Sequence, residues 1–88
     1  MTAVHLLVHG RVTGVFYRAS AQEVACRLGV MGWVRNRSGD CVEIHAEGDP
    51  KQLDQLIAWC RRGPAQAQVT SMDQEWVDSE ELTSFEIR

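Results

Sequence analysis

Arg18 and Asn36 are the residues of this 88-residue chain whose type and position point to chemistry. Arg18 closes the run Gly10-Arg11-Val12-Thr13-Gly14-Val15-Phe16-Tyr17-Arg18. An alternating apolar run, Val4 to Val8, leads into that segment, and an amphipathic helical pattern leaves it. Two glycines in such a strand-to-helix loop let backbone N–H groups converge on one point, which is the geometry of an anion cradle. The arginine then falls at the helix start, where the macrodipole is already positive. A cation is poorly placed there unless an anion sits beside it. The expected guest is a phosphate or another small oxyanion, which suits the planar donor fork of arginine.

Asn36 is the second oddity. Asparagine is depleted in strands, yet this one shares parity with Gly32 and Val34 in a run that reads as strand. Its side chain is therefore expected on the helix-covered face, near the strand end. A neutral amide accepts and donates at once, which suits holding a water molecule without ionising it. Taken alone, each feature has a plainer reading. Asn36 also fits a strand-end or turn residue, and Gly-x-x-x-Gly also fits a simple connection.

Other chemistries lack their residues. No serine lies in a nucleophile elbow, and the lysine of a Walker A loop is absent. No histidine or carboxylate cluster reads as a catalytic metal site. His5 and His9 share a strand face but stand roughly 13 Å apart, too far to share a metal. With His45 they are expected to form a solvent-facing trio. Net charge is −3 and the isoelectric point near 5.5, so no broad basic field exists for nucleic acid or anionic lipid. Any positive site must be local. The N-terminus lacks a signal-peptide pattern and no apolar stretch approaches spanning length, so a cytoplasmic location is expected. Cys26, Cys41 and Cys60 show no C-x-x-C spacing and are expected as reduced packing residues, with a single disulfide left open.

The elements that must position Arg18 and Asn36 follow from periodicity. Residues 3–9 alternate as a strand. Residues 18–28 place Ala21, Val24, Ala25 and Leu28 on one helical stripe, closed by Gly29. Residues 31–37 and 41–47 form two strands joined by Ser38-Gly39-Asp40, with Gly39 suited to a type II′ turn. Asp49 and Pro50 start a second helix whose stripe is Leu53, Leu56, Ile57 and Cys60. Arg61 and Arg62 lie in its last turn. Residues 66–77 form a fourth strand with irregular alternation after Val69, consistent with a bulge. Phe85 and Ile87 suggest a short last strand. The order β-α-β-β-α-β is most simply a single-domain split β-α-β fold, with both helices on one face of an antiparallel sheet.

These residues closely resemble the acylphosphatase family over nearly the whole chain. Gly10 to Arg18 is similar to that family's phosphate-loop signature, and Gly32-Trp33-Val34-Arg35-Asn36 to its second signature. Val42-Glu43, Glu47-Gly48, Gly63-Pro64 with Ala67 and Val69, and the closing Phe85-Glu86-Ile87-Arg88 extend the match. The resemblance implies a ferredoxin-like α/β sandwich and hydrolysis of a small-molecule acyl phosphate to carboxylate and inorganic phosphate. It implies Arg18 as the substrate-phosphate arginine and Asn36 as the water-positioning residue. The cradle would comprise the backbone amides of Thr13, Gly14, Val15, Phe16, Tyr17 and Arg18. No metal, cofactor, nucleic acid or membrane is implied, and a monomer is expected. Three departures stand out. The family commonly has glutamine at Thr13 and phenylalanine at Tyr17, and many relatives have Asp-Gly where this hairpin reads Gly39-Asp40.

The competing reading is a non-catalytic anion-binding or accessory domain of the same fold. An RNA binder would instead show exposed aromatics and a basic sheet face. Strands one and three offer His5, Leu7, His9, Glu43, His45 and Glu47, which is poor for stacking and partly acidic.

Overall fold

A computed structural model describes residues 1–88. The elements are β1 (Thr2–Arg11), α1 (Tyr17–Leu28), β2 (Met31–Arg37), β3 (Cys41–Gly48), α2 (Pro50–Arg62), β4 (Gln68–Val77) and β5 (Phe85–Ile87). The five strands form one sheet in the order β4-β1-β3-β2-β5. All neighbours are antiparallel except β2 and β5, which run parallel. The expected α+β, ferredoxin-like arrangement is therefore what the chain adopts.

Period-two alternation sends Val4, Leu6 and Val8 of β1, Val34 of β2, and Val42, Ile44 and Ala46 of β3 to one face, where all are buried. Ala21 and Ala25 of α1 and Leu53, Leu56, Ile57 and Cys60 of α2 pack onto them in a single core. The alanines on α1 permit a close approach to the sheet. Each large buried side chain contributes about 1.5–3 kcal/mol through area removed from water.

The two helices begin differently. Asp49 caps α2, its side chain accepting from the Lys51 N–H at 3.2 Å, and Pro50 supplies the first helical residue. α1 begins after Phe16 with no side-chain cap and no acidic residue in its first turn. Its N-terminal donors are left to something else.

β4 carries the bulge that its irregular alternation suggests. The β1–β4 register shifts between His9 and Gly10, so Thr70 is the extra residue. Gly10 sits there with φ of 127°, and a Cβ on it would lie 2.1 Å from the Gln68 carbonyl oxygen. Only glycine fits this point, where β1 hands over to the loop.

The β2–β3 hairpin departs from the expected type II′ turn. Arg37 pairs with Cys41, which leaves three loop residues, and both Gly39 (φ 84°) and Asp40 (φ 55°) are left-handed. A type II′ turn has positive φ at its first central residue alone. The longer loop turns the Asp40 carboxylate toward the segment after β1.

β4 and β5 are consecutive in sequence yet occupy opposite edges of the sheet. Residues 78–84 must therefore cross its width. The crossing is fixed at Glu47, on the face opposite the helices, and delivers β5 beside β2.

Candidate active site

Arg18 and Asn36, 18 positions apart in sequence, line one cavity of about 290 Å³. Gly14, Phe16, Tyr17 and Ala19 surround it from the loop and helix start, and Val12 and Ile87 add apolar surface. A larger cleft of about 620 Å³ lies elsewhere, between α1 and α2, lined in part by Glu23, Arg27, Gln55 and Trp59. It contains neither Asn36 nor the glycine loop.

The first backbone donor of α1 to find an acceptor is Ser20, which bonds the Phe16 carbonyl at 3.0 Å. The N–H groups from Gly14 to Ala19 have no acceptor within the protein. Arg18 joins none of the protein's ion pairs. A row of unpaired donors, the positive end of a helix and an uncompensated guanidinium thus share one cavity. Each favours an anion. Asn36 lies at the end of β2, exposed and without a side-chain hydrogen bond to the protein.

Thr13 stands apart from the expected amide set. Its N–H donates to Asp40 Oδ1 at 3.2 Å, its hydroxyl donates to the same oxygen at 2.8 Å, and the Val12 N–H approaches it at 3.4 Å. The Thr13 amide is therefore already engaged, and the free run starts at Gly14. The hydrogen bond from the Thr13 hydroxyl, then that from its amide, holds the Asp40 carboxyl below the usual range. The partners fall at two of the three departures from the resemblance, Thr13 and the Gly39-Asp40 hairpin. In this chain the two positions are joined directly, through the Thr13 hydroxyl and amide on Asp40.

Phe16 has φ 62° and ψ 23°, a left-handed conformation that costs a non-glycine residue roughly 1–2 kcal/mol. Such strain persists where neighbours fix the chain on both sides. Tyr17 does so on the helix side. It is 1% exposed, its hydroxyl donates to the Cys60 carbonyl at 2.8 Å, and its ring meets Trp59 at 5.3 Å between centroids. Burial pushes its phenol far above the ordinary value, so it stays a neutral donor. Tyr17 thus locks the start of α1 against α2 and sets the direction of Arg18.

The histidines are not brought to this cavity. They also do not form the expected solvent-facing trio. His45 is buried, stacked on Trp33 at 5.8 Å, and bonded to Glu47 at 2.6 Å. His5 is half-buried against Glu43 at 2.6 Å, and His9 alone remains near solvent, beside Asp73. Parity placed His45 correctly on the face away from the helices, but the 78–84 crossing and Trp33 cover that face. All three cysteines are free thiols, Cys41 and Cys60 buried and Cys26 exposed.

A sequence model of the acylphosphatase family matches residues 4–87. An acylphosphatase of Methylococcus capsulatus is 52% identical over 99% of this chain and 96% of its own length. One from Marinobacter nauticus is 50% identical over 92% of this chain and 89% of its own. The crystal structure of an acylphosphatase from Bacillus subtilis superposes with a TM-score of 0.96 at 32% identity, covering 100% of this chain and 99% of that one. The cavity, with its unpaired amides and free arginine, is thus found in a chain that belongs to the acylphosphatase family and hydrolyses acyl phosphates.

Proposed function

We propose that the cavity holding Arg18 and Asn36 is the catalytic site, and that hydrolysis there needs no metal or cofactor. The observation that carries this reading is the unbroken run of acceptor-less N–H groups from Gly14 to Ala19 beside an arginine with no counter-ion. The phosphoryl group of the substrate sits in that run. Arg18 spans two of its oxygens, and the amides of Gly14, Val15, Phe16, Tyr17 and Arg18 take the rest of the charge. Thr13 supports the loop through Asp40 instead of contacting the anion.

The chemistry asks little more of the protein. The bond broken joins phosphorus to the oxygen of a carboxylate, a stable leaving group that departs without a general acid. Phosphoryl transfer through a loose transition state leaves positioning and charge stabilisation as the main tasks. Asn36 orients the attacking water, its amide oxygen accepting a hydrogen bond from it. Water adds its oxygen to phosphorus, the P–O bond to the acyl group breaks with its electron pair on the carboxylate, and a proton is lost to solvent. A phosphomonoester, with a poor alkoxide leaving group, is a much worse substrate. In the same reading residues 1–88 act as one domain and one monomer, in the cytoplasm. The net charge of −3 supports a local anion site over a polyanion surface, and no helix is long and apolar enough to cross a membrane.

Hydrolysis of benzoyl phosphate in excess EDTA tests the reading. Full turnover with chelator, inhibited competitively by inorganic phosphate, is the expected result. Activity lost to EDTA and restored by a divalent metal, or noncompetitive phosphate inhibition, contradicts it.

A further inference from the structure

The free amides and Arg18 account for one end of an acyl phosphate, and the same cavity has another, apolar side. Four large hydrophobic residues are prominently exposed in the whole molecule: Met1, Phe16, Trp76 and Ile87. Two of them, Phe16 at 78% and Ile87 at 41%, line this one cavity. They come from opposite ends of the sequence, so chain proximity does not explain their meeting. Phe16 also keeps a left-handed backbone, where glycine or asparagine would serve the fold with less strain. A phenyl group at that position, 78% exposed, has little packing to explain it.

Ile87 is held in place with some care. β5 is three residues long, yet it is fastened at both ends and across its face. The Gly32 N–H donates to the Ser84 carbonyl at 2.9 Å and the Arg88 N–H to the Val34 carbonyl at 2.8 Å. Gln22 of α1 donates to the Phe85 carbonyl at 2.9 Å, and the Arg88 guanidinium stacks over Trp33 at 5.3 Å. Phe85 is buried in the core while Ile87, two residues on, shares its face and reaches the cavity.

Building on the catalytic reading above, we propose that Phe16 and Ile87 form an acyl-binding wall, which makes compact apolar acyl phosphates, aromatic ones above all, the favoured substrate class. The volume of about 290 Å³ lies at the small end of sites for small molecules, roughly 300–1,000 Å³, and the cavity is open to solvent on one side. A phosphoryl group with one ring or a short branched chain is the size of group that would lie against both apolar side chains. No charged side chain other than Arg18 lines the cavity, so nothing there rewards a polar or charged acyl tail.

The experiment compares kcat/KM for benzoyl phosphate and acetyl phosphate in the wild-type chain and in Phe16→Gly and Ile87→Ala. Glycine suits the left-handed backbone at position 16, and position 87 is exposed, so both variants should fold; circular dichroism checks this. Phe16→Asn gives a second folded variant that keeps the backbone conformation. The expected result is a wild-type preference for benzoyl phosphate that falls on the order of tenfold in each variant, the scale of removing apolar contact from a specificity pocket. A benzoyl-to-acetyl ratio that stays within twofold of wild type in all folded variants overturns the wall and leaves the catalytic site standing. A wild-type chain that turns over both substrates without the Gly14 to Ala19 region responding to phosphate overturns the catalytic reading and the wall with it.

Discussion

Two rows of backbone N–H groups in this molecule face an anion, and only one of them finds it inside the chain. In the 78–84 crossing, the N–H groups of Glu80 and Leu82 donate to the Glu47 carboxylate, the latter at 3.0 Å, and His45 bonds the same carboxylate. Glu47 is wholly buried, with every polar contact met. In the loop after β1, the row from Gly14 to Ala19 has no internal acceptor. The same backbone device thus serves stability where the protein supplies the anion, and is left without an internal acceptor where it does not. Asp40 marks the border between the two uses, because it fills the first positions of the loop, Val12 and Thr13, and stops there.

Charge follows the same division. Burial by itself would raise the Glu47 carboxyl, but the hydrogen bonds from His45, the Glu80 and Leu82 amides and Ser79 outweigh it and hold the group at about 2. Arg18, at the open row, has no such internal partner. One site is balanced within the fold, and the other is left with an uncompensated positive charge.

Removing the charge from the open row should have the largest effect. Arg18→Gln is expected to lower kcat on the order of 10³-fold or more, by the scale of arginines that stabilise phosphoryl transfer. Its thermal stability should hold or rise slightly, because a cation leaves a helix N-terminus. A folded variant with near-normal turnover would break the distinction between the two rows. Asn36→Ala should cost roughly 10²–10³ in kcat, the scale of one positioned polar group. Calorimetric titration with phosphate should show its affinity little changed, as the proposed role of Asn36 in orienting water requires. An affinity loss equal to that of the arginine variant would make Asn36 a ligand contact instead.

At the filled row the effect should fall on stability. Glu47→Ala orphans buried donors and is expected to lower unfolding free energy by about 3 kcal/mol in urea titrations, within the range for unpaired buried groups. The turnover of the folded fraction should stay within a few-fold. The same group sets an acid limit. Its carboxyl is depressed from 4.5 to about 2 on folding, so its contribution is complete above about pH 4.5 and is lost as pH falls toward 2. That shift corresponds to about 3 kcal/mol, and the acid step should be absent in Glu47→Ala. The smallest change is expected at the border. Asp40→Ala frees the Thr13 amide and loosens the loop, and kcat/KM should fall roughly threefold to tenfold through lost positioning. A gain in activity would show that Asp40 restrains the site instead of ordering it.

Much of the open row is legible from the sequence, because its parts are local. Two glycines, a strand before and a helix after place Arg18, and strand parity places Asn36 on the correct face. The filled row is not legible. His45 and Glu47 follow the parity of an exposed face, and they are buried only because residues 78–84 cross the sheet to bring β5 to the far edge. Nothing in the local pattern of β3 announces that crossing. Ile87 reaches the cavity by the same route. The Thr13–Asp40 contact is an intermediate case: both positions stand out in the sequence, but their meeting depends on a hairpin in which Gly39 and Asp40 are both left-handed, unlike the type II′ turn its glycine suggests.

The row from Gly14 to Ala19 is the proposed anion site, and amide chemical shifts read it residue by residue. Titrating the nitrogen-15-labelled chain with inorganic phosphate should move the amide resonances of Gly14, Val15, Phe16, Tyr17, Arg18 and Ala19 together, along one saturating curve. Thr13, held by Asp40, should move far less, and Glu80 and Leu82, held by Glu47, should not move. Shifts centred on Arg27 and Trp59 in the cleft between the helices, or a loop that stays silent at saturation, would contradict it.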